Sequence, residues 1–355
     1  MSLQFSAFNA KIGKEHSRQY ARNAAENYQR IKAEFQKADY SIDTLPQFTP
    51  EARMPALVLG SGPSLDDSLP YIKDFHGVIF ASPSQLNILE KWEITPQYVV
   101  SVDSADSVGT DQIGPDRDTY GMTLLTHPYT SPKVLEAWTG RKRYFELQEA
   151  DGSHFRDVYP WIKVGFPICG SVNNTEVLIS RWMGCAPIIL AGVDYCFPGG
   201  RTRAQDYRRR GPYIFDPIPM QFCETAPDKT SASQETLFYA NLLLGIWKMY
   251  NLPLVQVGDK GACTEIPFVP PEELSNIIQV DRRGRLMGRR RGRHGPTRRQ
   301  IEAIDKSMLE YGMYAEVDER GMGHFRWKER DESAVDSVKL LLQQTLIRAD
   351  FWKDK

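Results

Sequence analysis

Short apolar runs alternate with amphipathic stretches along most of this chain. Within residues 10–40, Tyr20, Ala24, Tyr28, Ile31 and Phe35 recur at helical spacing among Lys, Arg, Glu and Gln. That pattern predicts a long helix, closed off by Pro46 and Pro55, that packs against the core as an N-terminal extension. Apolar runs of four or five residues then follow: Ala56–Leu59, Val78–Ala81, Tyr98–Val102 and Met122–Leu125, and later Pro187–Ala191 and Leu254–Val257. Between them, helices are predicted at Asp66–Lys73 (shortened by Pro70), Ser84–Lys91 with Ser82 or Ser84 as cap, Val177–Trp182 and Leu237–Tyr250. There is no internal repeat.

Continuous apolar strands separated by helices imply a parallel sheet buried on both faces, a Rossmann-like α/β fold with helices on either side. Such sheets bind ligands beyond the carboxyl ends of their strands. The rule selects Gly60–Ser64, Asp103, His127, Gly192–Asp194 and Gly258–Gly261. The expected organisation is an N-terminal helical extension over 1–50, a nucleotide-binding transferase domain over 51–275, an Arg/Gly-rich linker over 276–300 and a C-terminal helical segment over 301–355, with helices at Ile301–Tyr311 and Ala334–Phe351.

Composition changes this picture little. The 355 residues are 41% hydrophobic and 25% charged, with a net charge of −1, so no global field points to nucleic acid or to a membrane surface. No stretch is apolar enough to span a bilayer, and the first residues lack the pattern of a signal peptide. The five cysteines form no Cys-x-x-Cys pair and read as small buried hydrophobes in a reducing, cytoplasmic setting. The run Arg282–Arg299 is locally basic but has no aromatics for base stacking. It reads as a mobile basic linker in preference to a nucleic-acid contact.

The turn Gly60-Ser61-Gly62-Pro63-Ser64 joins a strand to a helix. Its glycines allow close backbone approach, and Pro63 and Ser64 suit a helix start, where exposed N–H groups and the helix dipole favour an anion. The motif is neither a dinucleotide fingerprint nor a P-loop, since the third glycine and a Gly-Lys-Ser/Thr are both missing. Taken alone, it reads more readily as a strand-to-helix turn with no ligand.

The run PALVLGSGPSL at 55–65, followed by ITPQYVVSVD at 94–103, resembles the MptE-like transferases. That family includes archaeal 6-hydroxymethylpterin diphosphokinases and bacterial motility accessory factors that glycosylate flagellin with nonulosonic acids. CGSVN at 169–173, GCAPIILAGVD at 184–194 and GDKGA at 258–262 fit the same order. The turn also looks like the donor-nucleotide turn of a bacterial sialyltransferase family. The resemblance spans about residues 50–275. It implies a phosphorylated donor, either a nucleotide-activated sugar or ATP, an acceptor of unstated identity, and Mg²⁺ as a candidate ion. Where such proteins often carry Gly-Gly-x-Thr-His-Ala, this chain has Arg203 in place of the histidine.

The candidate roles follow. Gly60, Ser61, Gly62, Pro63 and Ser64 would cradle a donor phosphate, joined by Gly170, Ser171 and Asn173 ahead of the next helix and by Lys260 and Gly261. Asp103 would hold a divalent ion, ribose or acceptor hydroxyls; its ordinary alternative is a solvated carboxylate capping its own turn. Asp194 would orient donor or acceptor, or serve as a turn aspartate. His127 is a general-base candidate or a structural turn residue. Arg201 and Arg203 would hold an anionic substrate or leaving group, and Arg208–Arg210 would either clamp the donor or lie in a solvated loop. Asn173 or Asn174 would cap the helix that carries Glu176. The function expected is nucleotide-dependent group transfer, glycosyl transfer from a nucleotide sugar first and diphosphate transfer from ATP second. A binding module without catalysis is the third reading.

Overall fold

Leu57 and Leu59 point to one side of the first strand while Ala56 and Val58 point to the other, and all four are fully buried. A strand apolar on both faces must lie inside a sheet covered on both faces. The computed structural model, which describes residues 2–38, 40–49, 53–148, 159–167, 169–205, 220–224, 229–276, 313–317 and 323–327, shows that sheet. Its strands are β1 (Ala56–Leu59), β2 (Val78–Ala81), β3 (Tyr98–Ser101), β4 (Thr123–Thr126), β5 (Arg141–Tyr144), β8 (Ile188–Ala191), β11 (Leu254–Val257) and β12 (Phe268–Val269). All eight are parallel, in the order β12-β11-β8-β1-β2-β3-β4-β5. A short parallel pair, β6 (Glu146–Gln148) and β7 (Gly165–Pro167), stands beside the sheet.

Helices cover both faces. On one face, α2 (Leu65–Ile72) and α3 (Leu86–Lys91) bury Leu65, Leu69, Ile72, Ile88 and Leu89 over Leu57, Leu59 and Ile79. On the other, α1 (Ser2–Lys37), α5 (Val172–Trp182) and α6 (Gln234–Tyr250) bury Ile31, Val177, Leu178 and Leu243 over Val58, Phe80 and Leu190. A short helix α4 (Pro132–Ala137) follows β4, with the Ser131 hydroxyl accepting from the Lys133 N–H as its cap. The free cysteines Cys169, Cys185, Cys196 and Cys263 are buried, and burial pushes the Cys169 and Cys263 thiols up to about 12. No helix among the described residues is long and apolar enough to cross a membrane.

Some elements differ from the pattern-based expectation. Helix α5 starts at Val172 with Ser171 as its cap residue, so Asn173 and Asn174 lie inside the first turn and are not caps. Between the two helices expected in the C-terminal segment, the described residues form a two-stranded antiparallel ladder, β13 (Met313–Val317) with β14 (Gly323–Trp327), where no element was predicted. Another such pair, β9 (Met220–Glu224) with β10 (Lys229–Ser233), precedes α6. The predicted helices at 301–311 and 334–351, the basic run 282–299 and Arg208–Arg210 fall outside the described residues.

Candidate functional site

The strand order reverses between β1 and β8. From β1 the chain winds through β2, β3 and β4 to β5; it then returns beside β1 as β8 and winds outward the other way. Helix α2 leaves β1 on one face while α5 and α6 pack on the other, so the carboxyl edge at this switch point is where the general rule for open α/β sheets expects a ligand crevice.

The turn after β1 is laced to the loop after β8. The Gly60 N–H donates to Ala191 O at 2.8 Å, and the Gly62 N–H donates to Gly192 O at 2.8 Å. The Asp194 carboxylate accepts from the Ser64 N–H at 2.9 Å and from the Ser64 hydroxyl. A Cβ on Gly62 would lie 2.5 Å from Asp194 Oδ2, and one on Gly60 would strike Gly192 O. These glycines therefore serve the close approach of the two loops. The phosphate cradle expected of Gly60–Ser64 is corrected on this geometry. Pro63 has no N–H, and the N–H groups of Gly60, Gly62 and Ser64 are bonded within the protein; Ser61 is the half-buried member of the turn whose N–H has no such partner. Asp194 acts as the N-terminal cap of α2, and burial holds its carboxyl above the usual aspartate value.

Tyr195, next in the chain, has φ +52° and sends its hydroxyl to Asn174 Oδ1 at 2.8 Å and to Ser171 Oγ at 2.9 Å. The β8 loop thus pins the first turns of both α2 and α5. With Ser171 Oγ turned to Tyr195, no side chain caps α5, and its first turn carries no acid. Asn173 Nδ2 donates to Leu59 O at 2.9 Å and to Glu176 Oε2 at 2.8 Å, tying α5 to the end of β1. Glu176 is fully buried, and desolvation raises its carboxyl well above the usual range. Gly170, exposed and at φ +73°, sits against the Tyr239 ring, which a Cβ would meet at 2.5 Å.

Two predicted anion-binding cations are already paired. Arg201 Nη1 lies 2.7 Å from Asp66 Oδ2, and Lys260 Nζ lies 2.6 Å from Asp67 Oδ2, both acids in the first turn of α2. They tether the loops after β8 and β11 over that helix instead of facing the crevice as free charges. Arg203 is exposed, with Nη1 on the carbonyl of Thr202. Gly261 lies against the Asp194 backbone, and the Ala262 N–H donates to Asp194 O at 2.7 Å.

His127 is not placed to act as a general base. It is fully buried, its Nδ1 accepts from the Tyr129 N–H at 3.2 Å, and its Nε2 is 3.1 Å from Val102 O. An accepting Nδ1 leaves the proton on Nε2, which donates to that carbonyl. Both nitrogens are occupied in the neutral form, and burial pulls the pKa down to about 4.

Asp103, by contrast, is exposed at the end of β3, with Oδ1 accepting from the Ala105 N–H at 2.8 Å. Ser84, which sequence reasoning took only as a cap, completes a hydroxyl row at the ends of β1 and β2: Ser84 Oγ is 3.4 Å from Ser61 Oγ and 2.7 Å from Ser82 Oγ. Among the described residues, no group of three His, Cys, Asp or Glu is arranged to hold a metal ion.

A family model described as 6-hydroxymethylpterin diphosphokinase MptE-like matches residues 18–200, just over half of the chain. Among solved structures, the fold is similar to that of the MAf glycosyltransferase from Magnetospirillum magneticum AMB-1, with a TM-score of 0.50 and 18% identity over 64% of this chain. The aligned part is 34% of that protein, so the chain spans about a third of its length. A comparison with curated proteins gives no match. The family match begins inside α1 and ends within the loop after β8, so it takes in the turn after β1, Asp103, the start of α5 and Asp194: the chain belongs to the MptE-like family.

Proposed function

We propose that this chain is a nucleotide-dependent group transferase that takes a glycosyl unit from a nucleotide-activated sugar and passes it to an acceptor. The observation that carries this reading is that the uncapped first turn of α5 and the Ser61 N–H lie at the switch point between β8 and β1, with the exposed Asp103 carboxylate farther along the same carboxyl edge, at the end of β3. A donor phosphate lies across Ser61, Ser171 and Asn173, where backbone N–H groups and the α5 dipole stabilise the leaving nucleotide. Asp103 faces the donor or acceptor hydroxyls. The similarity of fold to a glycosyltransferase supports the choice of transferred group.

The family description favours a second reading, diphosphate transfer from ATP to a pterin alcohol. That chemistry calls for Mg²⁺. Asp103 offers one carboxylate, which fits an ion whose other ligands are phosphate oxygens and water. When bound, the ion would neutralise charge on the phosphates.

A thermal-shift screen with CMP, UDP, GDP, ATP and CMP-sugars, each with and without Mg²⁺, separates the readings. A ligand at a hundredfold excess over its dissociation constant stabilises the fold by about 2.7 kcal/mol. Preference for CMP, a CMP-sugar or a nucleoside diphosphate supports glycosyl transfer. A Mg²⁺-dependent preference for ATP supports diphosphate transfer, and no shift with any nucleotide sinks both.

A further inference from the structure

The backbone that carries Asp103 is held from behind at four consecutive carbonyls, each by a side chain. Ser101 O accepts from Thr126 Oγ1 at 2.9 Å, Val102 O from His127 Nε2 at 3.1 Å and Asp103 O from Thr130 Oγ1 at 3.4 Å. Ser104 O accepts twice, from Gln19 Nε2 at 2.8 Å and from Asn23 Nδ2 at 3.1 Å. Thr126 ends β4, and the loop after it, which supplies His127 and Thr130, is itself fastened to α1. Asn23 Nδ2 reaches Tyr129 O at 3.0 Å, and Asn27 Nδ2 reaches Pro128 O at 2.9 Å and Thr130 O at 2.8 Å.

The helix pattern makes the same point. Positions 19, 23, 27, 31 and 35 of α1 are four apart and share one face. They read Gln, Asn, Asn, Ile, Phe. The stripe is apolar where it crosses the sheet and amide where it crosses the two loops. Asn23 and Asn27 are almost completely buried, a position where an amide is costly unless bonded. An exposed loop ordinarily leaves its carbonyls to water. Here one buried asparagine, a half-buried glutamine, a buried histidine and two threonines hold the segment that carries the exposed Asp103 carboxylate, and the second buried asparagine, Asn27, holds the loop behind it.

We propose that Gln19, Asn23, His127 and Thr130 are positioning residues that fix the backbone of Val102–Ser104 and so hold the Asp103 carboxylate at the carboxyl edge. The inference rests on the reading of Asp103 as a residue of the transfer site. It gives His127 a role that its buried ring can perform, and it makes α1 part of the site's framework.

The test uses Gln19→Ala and Asn23→Ala, each made in the full chain and again in an Asp103→Ala background. Gln19 is only half-buried and makes one bond, so Gln19→Ala keeps the fold even where Asn23→Ala does not. Hydrogen exchange at residues 102–107 rises several-fold in the variants, while exchange in β1 and β8 is unchanged. Affinity for CMP, UDP or Mg²⁺-ATP falls several-fold with Asp103 present and does not fall further in Asp103→Ala, because the effect runs through that carboxylate. Exchange that rises uniformly through the sheet, or an equal loss of affinity in both backgrounds, overturns the proposal. If the unmodified chain binds none of these nucleotides, the transferase reading fails, and the exchange pattern alone decides whether the loop is held in this way.

Discussion

Residues whose chemistry suggested catalysis divide by what surrounds them. His127 and Asp194 are both buried, and both are occupied by backbone partners. The His127 case makes a pH prediction. The native ring titrates at about 4, against an ordinary value of 6.5 in the unfolded chain. Between those values the unfolded chain takes up a proton that the native protein refuses. Stability is therefore fully present above pH 6.5 and declines as the pH falls toward 4, by about 3 kcal/mol in all. His127→Gln removes this titration, so urea unfolding followed from pH 7.5 to 5 gives a flatter slope in the variant. An unchanged slope sinks the assignment. For Asp194, truncation to Ala leaves the Ser64 N–H buried without an acceptor and costs about 1–3 kcal/mol. Asp194→Asn keeps an acceptor for that N–H and lets the Ser64 hydroxyl turn to accept from the amide, so it costs less than half as much. Equal losses in thermal unfolding would show that charge, and not capping, is what the site requires.

At the level of elements, legibility followed burial. Strands β1, β2, β3, β4, β8 and β11 were readable because both of their faces are covered, which forces unbroken apolar runs. Strand β5 was not, because Arg-Lys-Arg-Tyr at the sheet edge uses its polar side chains outside the core: Lys142 lies 2.8 Å from Glu34 Oε1, and Arg143 Nε donates to Thr44 Oγ1. Strand β12 is two residues long and carries no period at all. The site was partly readable. The strand-end rule reached Asp103 and Asp194, and the small polar residues after Cys169 pointed to the start of α5. It did not reach Gln19 and Asn23, since amides on a helix look like solvated positions until the loops they bond are known. Helix α1 was read as an N-terminal extension that packs against the core, and Ala24 and Ile31 are buried in that core, where Tyr159 Oη donates to the Ala24 carbonyl at 2.6 Å. Deleting residues 1–37 uncovers that face and abandons the carbonyls that Asn23 and Asn27 satisfy. The shortened chain is expected to lose its cooperative thermal transition. A sharp transition within a few degrees of the full chain's would show that α1 is an accessory.

A parallel sheet sends every strand-to-helix loop to one edge, so that edge of the sheet is where a ligand can meet several of them. Most of that edge is committed to holding the fold: the β1 turn to the β8 loop, Arg201 and Lys260 to the first turn of α2, Tyr195 to the start of α5. Asp103 is different, because its exposed carboxylate supports only the Ala105 N–H within its own turn. Removing it should therefore cost the fold little, within about 1 kcal/mol for an exposed group. If the edge is a transfer site, the same removal takes away the group that orients an acceptor or an ion in the transition state, which costs on the order of a hundredfold in turnover. Asp103→Ala is thus expected to melt where the parent chain melts and to transfer about a hundredfold more slowly with the donor that the nucleotide screen selects. Stability and activity falling together would make Asp103 a turn residue. Unchanged turnover would move the chemistry along the edge to the hydroxyl row of Ser61 and Ser84, which faces the same crevice with no charge of its own.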